Sequence, residues 1–530
     1  MLPKLRIFIA LVLLVCAAAA SADPPSRVAR LNYISGAVSF APAEAPDQWT
    51  QAVLNRPFTS GDRLWADSDA RAELHVGSTA LRLAPLTSVD MLNLDDQTMQ
   101  LRLAQGAIDL RVRDLARDEI IEVATPTGAV LIGQPGSYRI SSDPQTNVSR
   151  VSVNFGQAEV ITPWQTATVP SNQAAVIPAN AGIAFELVAS GFDEEFDRWS
   201  AARDRREDHA IATRYVSRDM TGYEDLDQYG SWRTLPEYGA VWIPARVAPG
   251  WAPYRQGHWV WVSPWGWTWI DDAPWGFAPF HYGRWVWVDR YWAWAPGPIV
   301  RRPVYAPALV AFVDGSSFSI SARSGPAVGW FPLGWREPYI PWYRASQTYV
   351  RNVNVTHMSN VTNIYNGRYA NRDRPDAVTV VPQQAFVSAR PVARSSFTVS
   401  QNELARAHVL RDKAPAEPIS ASIAPERRGQ HPPAHAVARE VIAITPPASP
   451  VKRELPGVRE RGAGFTRPAE AEPRVRVLQR ERADMIDRPS AQAAPQQARP
   501  IDRAPPASTA GQVWHRTMPQ ASAPVGAQPA

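Results

Sequence analysis

The stretch GHWVWVSPWGWTW, residues 257–269, puts five tryptophans into thirteen positions, and a near copy, GRWVWVDRYWAW, follows at 283–294. Strand alternation sends Trp259 and Trp261 to one face and Val260 and Val262 to the other, so the segment has no polar face. After the Ser263-Pro264 turn, Trp265, Trp267 and Trp269 share a face opposite Gly266 and Thr268. The pattern predicts a hairpin with a tryptophan wall. One reading makes the wall a core, because cross-strand aromatic pairs contribute about 0.5–1 kcal/mol each. The other makes it a ligand platform, with Trp259, Trp261, Trp265, Trp267, Trp285 and Trp287 stacking on sugar rings or bases. Regular recurrence favours the core, since a binding site needs only one copy.

Working outward, residues 221–345 hold sixteen of the 21 tryptophans. Trp242-Ile-Pro, Trp251-Ala-Pro-Tyr and Gly257-His-Trp-Val-Trp-Val recur as Trp269-Ile-Asp, Trp275-Gly-Phe-Ala-Pro and Gly283-Arg-Trp-Val-Trp-Val; Trp294-Ala-Pro opens a decayed third copy. A period of 25 to 27 residues suits one supersecondary unit per repeat, stacked so that neighbours bury a shared face. A Trp-rich β-hairpin repeat domain is the expectation for 221–345.

From 30 to 180 the chain reads as short strands between turn signals. In TMQLRLAQGAIDLRV, Met99, Leu101 and Leu103 alternate with Gln100 and Arg102, and Gly106 marks a turn before Ile108, Leu110 and Val112 repeat the pattern. An antiparallel or solenoid-like β domain follows from this spacing, and the fold class of the whole is mainly β. ISGAVSF, the SGDRLWADSDARAELHVGSTALRLAPLTSVDML block at 60–92, LRLAQGAIDLRV and EVATPTGAVLIGQPGSYRI at 122–140 together resemble the FecR domain, in the same order. The resemblance implies a β-rich periplasmic module of the kind that relays receptor signals to a sigma factor. The chain departs from that family in lacking a cytoplasmic segment ahead of a membrane helix, so the interaction module carries over and the signalling role does not. The Trp-rich region is similar to repeats that follow FecR-like domains in exported bacterial proteins of unknown function.

The ends complete the organisation. Lys4 and Arg6, an apolar run from Ile7 to Ala20 and Ala20-Ser21-Ala22 stand in secretory signal order, which predicts cleavage after residue 22 and an exported, periplasmic or envelope-associated protein. Cys16, the single cysteine, lies inside that run, where Val15 argues against a lipidation site; the mature chain then has no thiol. No further run is long enough to cross a membrane as a helix. Residues 190–220 predict a helical connector, Phe192, Phe196 and Trp199 forming its apolar stripe and its charged face lying in solvent. Polar strands are expected at 346–374, where Asn354 and Asn360 match the glycosylation sequon by chance. A disordered Pro/Ala/Arg/Gln-rich tail is expected at 375–530, with one short helix within Asn402 to Asp412.

Chemistry is sparse in this sequence. It contains no phosphate-cradling glycine loop, no Gly-x-Ser-x-Gly elbow and no His-Glu-x-x-His pair. His258, Asp271, Asp272 and His281 form the nearest constellation, but their spacing fits no metal motif and suits turn and hydrogen-bonding roles. No catalytic residues, metal or cofactor are therefore expected. The net charge of +5 is nearly all arginine, yet around the tryptophans Arg284 and Arg290 stand beside Asp271, Asp272 and Asp289, which excludes a basic nucleic-acid groove. The composite expectation is a non-enzymatic interaction or scaffold protein of the bacterial envelope whose partner is an envelope protein or a cell-wall glycan. The alternatives are a polysaccharide binder using the tryptophans and a regulator relaying an envelope signal.

Overall fold

Where a turn was expected at Gly106, the backbone instead runs through it as one strand, Thr98–Val112, bent at a glycine with φ +92°. A Cβ on Gly106 would lie 2.5 Å from the Thr87 Cα, so the bend depends on the missing side chain. The first half of this strand pairs with Thr87–Leu94 and runs parallel to Ile120–Thr125; the second half pairs with Thr79–Leu83 and Gly136–Asp143. One strand therefore belongs to two sheets, and the chain folds the sheets over each other about it.

The computed structural model describes residues 23–187, 194–318, 326–354, 369–374, 376–424, 427–448 and 474–479. The expected leader at 1–22, Cys16 and the tail beyond 479 lie outside the described residues, as does the sequon at Asn360. The first sheet runs in the order Pro57–Phe58, Ala29–Ser35, Arg71–Val76, Thr79–Leu83, the second half of the long strand, Gly136–Asp143, Val148–Phe155, Gln173–Pro178 and Ala184–Leu187. The second runs Thr50–Gln51, Val38–Ala41, Arg63–Ala66, Thr87–Leu94, the first half of the long strand, Ile120–Thr125, Gly128–Ile132, Gln157–Ile161 and Thr166–Pro170. Leu74, Leu81, Leu110 and Ile140 of the first sheet meet Leu64, Val89, Leu101 and Val123 of the second in one buried cluster. Each such side chain contributes about 1.5–3 kcal/mol on burial, and together they make the two sheets a sandwich.

The connector is the helix Glu194–Asp208; Glu195, Arg198, Arg205, Arg206 and Asp208 face solvent as expected, but Arg203 and Glu207 are set against the sandwich. Three hairpins follow, Gly230–Leu235 with Gly239–Pro244, Gly257–Val262 with Gly266–Asp271, and Arg284–Val288 with Tyr291–Ala295. Trp242 opposite Trp294 joins the first and third into a four-stranded sheet. A further three-stranded sheet, Val310–Asp314, Ala327–Pro332 and Thr379–Pro382, closes this second body.

Two other expectations need correction. Residues 347–354 form a helix, Gln347–Asn354, where polar strands were predicted. Alternation misleads there because Tyr349 and Val353, four apart, bury one helical face, and Ser346 Oγ accepts from the Tyr349 amide as an N-cap. Asn354, the first residue of its sequon, is buried, with its amide bonded to Tyr339 and Arg284, so it offers no glycan acceptor in the fold. Residues 376–424 and 427–448, expected to be disordered, carry short helices and strands packed on both bodies. Their apolar residues are too few to form a core, but Phe386, Val392 and Val441 dock onto cores already made. The expected short helix is Gln401–Arg406, held by a capping box between Ser400 and Glu403. Among the described residues no helix is long and apolar enough to cross a membrane.

Candidate functional site

Each hairpin of the second body opens on a glycine two residues before a tryptophan: Gly230 and Trp232, Gly257 and Trp259, then Gly283 and Trp285. That tryptophan faces another across the turn, in the pairs Trp232 with Trp242, Trp259 with Trp269 and Trp285 with Trp294. A Cβ on Gly230 would lie 2.3 Å from the Trp242 ring and one on Gly283 2.4 Å from the Trp294 Nε1, so the glycine makes room for the returning indole. The repeat unit is therefore a hairpin with a glycine notch and a tryptophan pair.

The wall is a core. Trp259, Trp265, Trp267 and Trp285 are fully buried, while Trp261 and Trp287 are half-buried. Trp259 packs against Trp269, Phe312, Trp330 and Phe386 with ring centroids 5.2–5.5 Å apart. Phe386 also covers Trp267 at 4.3 Å, and Tyr305 covers Trp265 at 5.0 Å. The platform reading thus loses four of its six indoles, because no sugar ring reaches a face that protein rings already occupy. Of the other two, Trp261 meets Trp267 edge to face at 5.7 Å, and the Arg374 guanidinium lies 4.3 Å over the Trp287 ring.

The constellation of His258, Asp271, Asp272 and His281 does not assemble into a centre. Buried Asp271 accepts from the Trp269 indole at 3.1 Å and from the Ala273 amide at 3.0 Å. His281 Nδ1 pairs with the Ala306 carbonyl at 2.8 Å, and burial holds its pKa down at about 3. His258 is likewise kept neutral, its pKa lowered to about 4 by burial and by Arg56. Asp272 stays exposed. These are hydrogen-bonding and turn residues.

The charged chemistry lies elsewhere, between the first sheet, the connector helix and the start of the second body. His75 on the Arg71–Val76 strand sets Nε2 3.1 Å from Glu73 Oε1 and 3.5 Å from Glu207 Oε1, with Nδ1 3.4 Å from Glu224 Oε1. The carboxylates come from the same strand, from the connector helix and from the turn Tyr223–Asp225. Burial alone would lower the His75 pKa, but Glu207, Glu224 and Glu73 outweigh it and hold the imidazolium up to about 10. Burial would raise Glu73; His75, Arg82 and Arg203 overcome it and keep that carboxylate well below its usual range. Glu73 accepts from Arg82 Nε at 2.6 Å and from Arg203 Nε and Nη2 at 2.5 Å each. Arg113 Nη1 reaches Glu207 at 2.9 Å, and Arg30 Nη1 reaches Glu224 at 2.9 Å and Asp225 at 2.7 Å.

Glu73, His75 and Glu207 have donor atoms close enough to share a metal ion. The imidazolium and the surrounding guanidiniums already supply the positive charge that a divalent ion would bring. What this arrangement does chemically is fasten three elements together. Arg30 Nη2 and the Asn55 amide extend the seam by donating to the carbonyls of Pro274, Asp271 and Ala273. Sequence reading missed the seam because Glu73 and His75 alternate with Ala72 and Leu74 like any solvent-facing pair. The available signal was two complementary charged faces, one on the sheet and one on the helix.

Residues 223–337, which span the three hairpins, match a family of unknown function, DUF6600. No curated protein matches the chain. Two crystal structures described as a "putative anti-sigma factor" from Parabacteroides distasonis ATCC 8503 are similar over a part of it. One is 14% identical and covers 26% of this chain and 64% of its own, with a TM-score of 0.23. The other is 15% identical and covers 24% and 54%, with a TM-score of 0.17. This chain thus spans less than two thirds of either structure, and likeness at these scores assigns neither fold nor function.

Proposed function

We propose that the protein is an exported, non-enzymatic interaction or scaffold protein of the bacterial envelope. The observation that carries this reading is the seam: the buried His75, Glu73, Glu207 and Glu224 face one another and the arginines around them. Their charge locks the sandwich, the connector and the hairpin body into a rigid support, and partners then meet its surface. The leader-like N-terminus and the likeness of the sandwich blocks to FecR support export and an extracytoplasmic interaction role. The protein partner is favoured over a glycan, because four of the six candidate indoles are core.

Fractionation of the native host with mass spectrometry of the chain tests export: a mature form starting at Asp23 in the periplasmic or envelope fraction is expected, and an unprocessed cytosolic chain overturns it. In-cell crosslinking of the full chain tests the interaction role. A reproducible envelope partner is expected, and a chain that remains uncrosslinked while turning over an envelope substrate overturns the reading.

A further inference from the structure

The segment 435–446 crosses the second sheet of the sandwich over three buried polar side chains, Gln100 and Arg102 of the long strand and Glu122 of Ile120–Thr125. All three address its main chain. Arg102 Nη2 donates to the carbonyls of Ala436 at 3.1 Å, Val437 at 2.9 Å and Arg439 at 2.6 Å. Gln100 Nε2 donates to the Thr445 carbonyl at 2.6 Å, and Glu122 accepts from the amides of Ile444 at 2.7 Å and Thr445 at 3.1 Å. Between these anchors the strand Val441–Ala443 sets Ile442 opposite Thr125. Val441 and Ala443 bury against Leu92 and Ala124, and Ile444 packs with Ala129, Leu131 and Ile161.

Two features separate this from ordinary core packing. The recognition groups read main chain: Arg102 takes the carbonyls at the C-terminal end of the short helix Ala434–Ala438, and Gln100 and Glu122 take the chain that leaves the strand Val441–Ala443. They therefore accept any segment of that shape whose alternate strand residues suit shallow apolar seats. The occupant pairs with Ile120–Thr125 through one residue pair and otherwise with the short strand Val475–Val477, whereas Gly128–Ile132 shares five pairs with Ile120–Thr125 and three with Gln157–Ile161. Arg102 keeps Asp90 as a partner at 2.8 Å whatever covers it, but the bonds to Glu122 come from the segment. A buried carboxylate stripped of its donors is costly, so replacement of one main chain by another is favoured over a bare groove.

We propose that this groove is a peptide-binding site, filled by residues 435–446 in cis, which takes in trans a partner segment that ends a helical turn and runs on as a strand with small or β-branched residues at alternate positions. The proposal rests on the reading of the chain as an interaction protein and names the chemistry of the partner.

The test uses the full chain and a fluorescein-labelled peptide of residues 434–447, followed by anisotropy. Ile444→Pro in the chain removes one of the two amides that Glu122 accepts, the shorter at 2.7 Å, and loosens the cis segment. Freeing the groove raises apparent affinity in proportion to the fraction left open, so the labelled peptide should bind the Ile444→Pro chain at least about tenfold more tightly than wild type. Adding Arg102→Ala should reverse that gain, and a peptide that itself carries Ile444→Pro should fail to bind. Circular dichroism checks the fold of Ile444→Pro; if it is lost, Arg439→Ala, which removes bonds to Ala104 and Asn147 outside the groove floor, replaces it. No trans binding to the loosened chain, or binding unchanged by Arg102→Ala, overturns the proposal. An envelope partner still crosslinked by the Arg102→Ala chain refutes the groove and leaves the interaction reading standing. Peptide exchange without any envelope partner refutes that reading and leaves the groove.

Discussion

Arg30 and Glu224, 194 positions apart in the chain, meet at 2.9 Å with both side chains buried, and this pair joins the sandwich to the body that carries the tryptophan hairpins. Removing one partner leaves an uncompensated buried charge, which costs about 3–5 kcal/mol. Arg30→Ala should therefore lower unfolding free energy by that order in urea titrations. Glu195→Ala, which breaks an exposed pair with Arg71, should change it by less than about 1 kcal/mol. Equal effects would mean that the seam holds nothing together.

The same seam fixes a pH dependence. The His75 pKa in the fold, about 10, lies above its ordinary 6.5, so its contribution is complete below pH 6.5 and is lost as pH rises through 10. Glu73 and Glu207 are held below their ordinary 4.5, so theirs is present above that pH and is lost on acidification. The urea midpoint of His75→Gln should fall below wild type near pH 6.5, and the gap should narrow as pH approaches 10. A gap independent of pH would assign His75 a packing role alone.

Alternation and turn residues are enough to read the β character, the hairpins and the repeat, because each depends on neighbours in sequence. What they miss is set at long range. Gly230-Ser-Trp232 escapes notice as the outbound strand of the first hairpin because Arg233 and Thr234 replace the Val-Trp of its copies. Glu73 and His75 read as a solvent face until the connector helix covers them. Val441 and Ile444 sit in a proline-rich stretch whose composition argues for disorder, and the main-chain anchors on Arg102, Gln100 and Glu122, with apolar seats made by distant strands, give it a place. The tryptophan pattern itself fits core and platform alike, and the rings that bury it, Phe312, Trp330 and Phe386, lie 50 to 130 residues downstream of Trp259.

Burial separates the two roles of tryptophan in solution. Trp259, enclosed by four rings, should lose about 3–5 kcal/mol on replacement by alanine. Trp164, 66% exposed at the turn after Gln157–Ile161, should change stability by no more than about 0.5 kcal/mol. Thermal melts of the two variants check this, and a Trp259→Ala chain as stable as wild type would return that indole to the surface.

The glycine notches make the last prediction. A Cβ on Gly283 would lie 2.4 Å from the Trp294 Nε1 and 2.6 Å from the Ala295 carbonyl, at a φ of +70°. The Trp294 indole is itself pinned by a 2.8 Å bond to the Tyr282 carbonyl, so it has no room to give way. Gly283→Ala therefore combines a left-handed backbone, about 1–2 kcal/mol, with overpacking of about 1–3 kcal/mol. Gly250 has a φ of +72° but open space around it, so Gly250→Ala carries the backbone part alone. Unfolding followed by tryptophan fluorescence should place Gly283→Ala at least about 1 kcal/mol below Gly250→Ala. If the two variants coincide, the notch is a turn requirement and not a seat for the indole, and the repeat loses its defining contact.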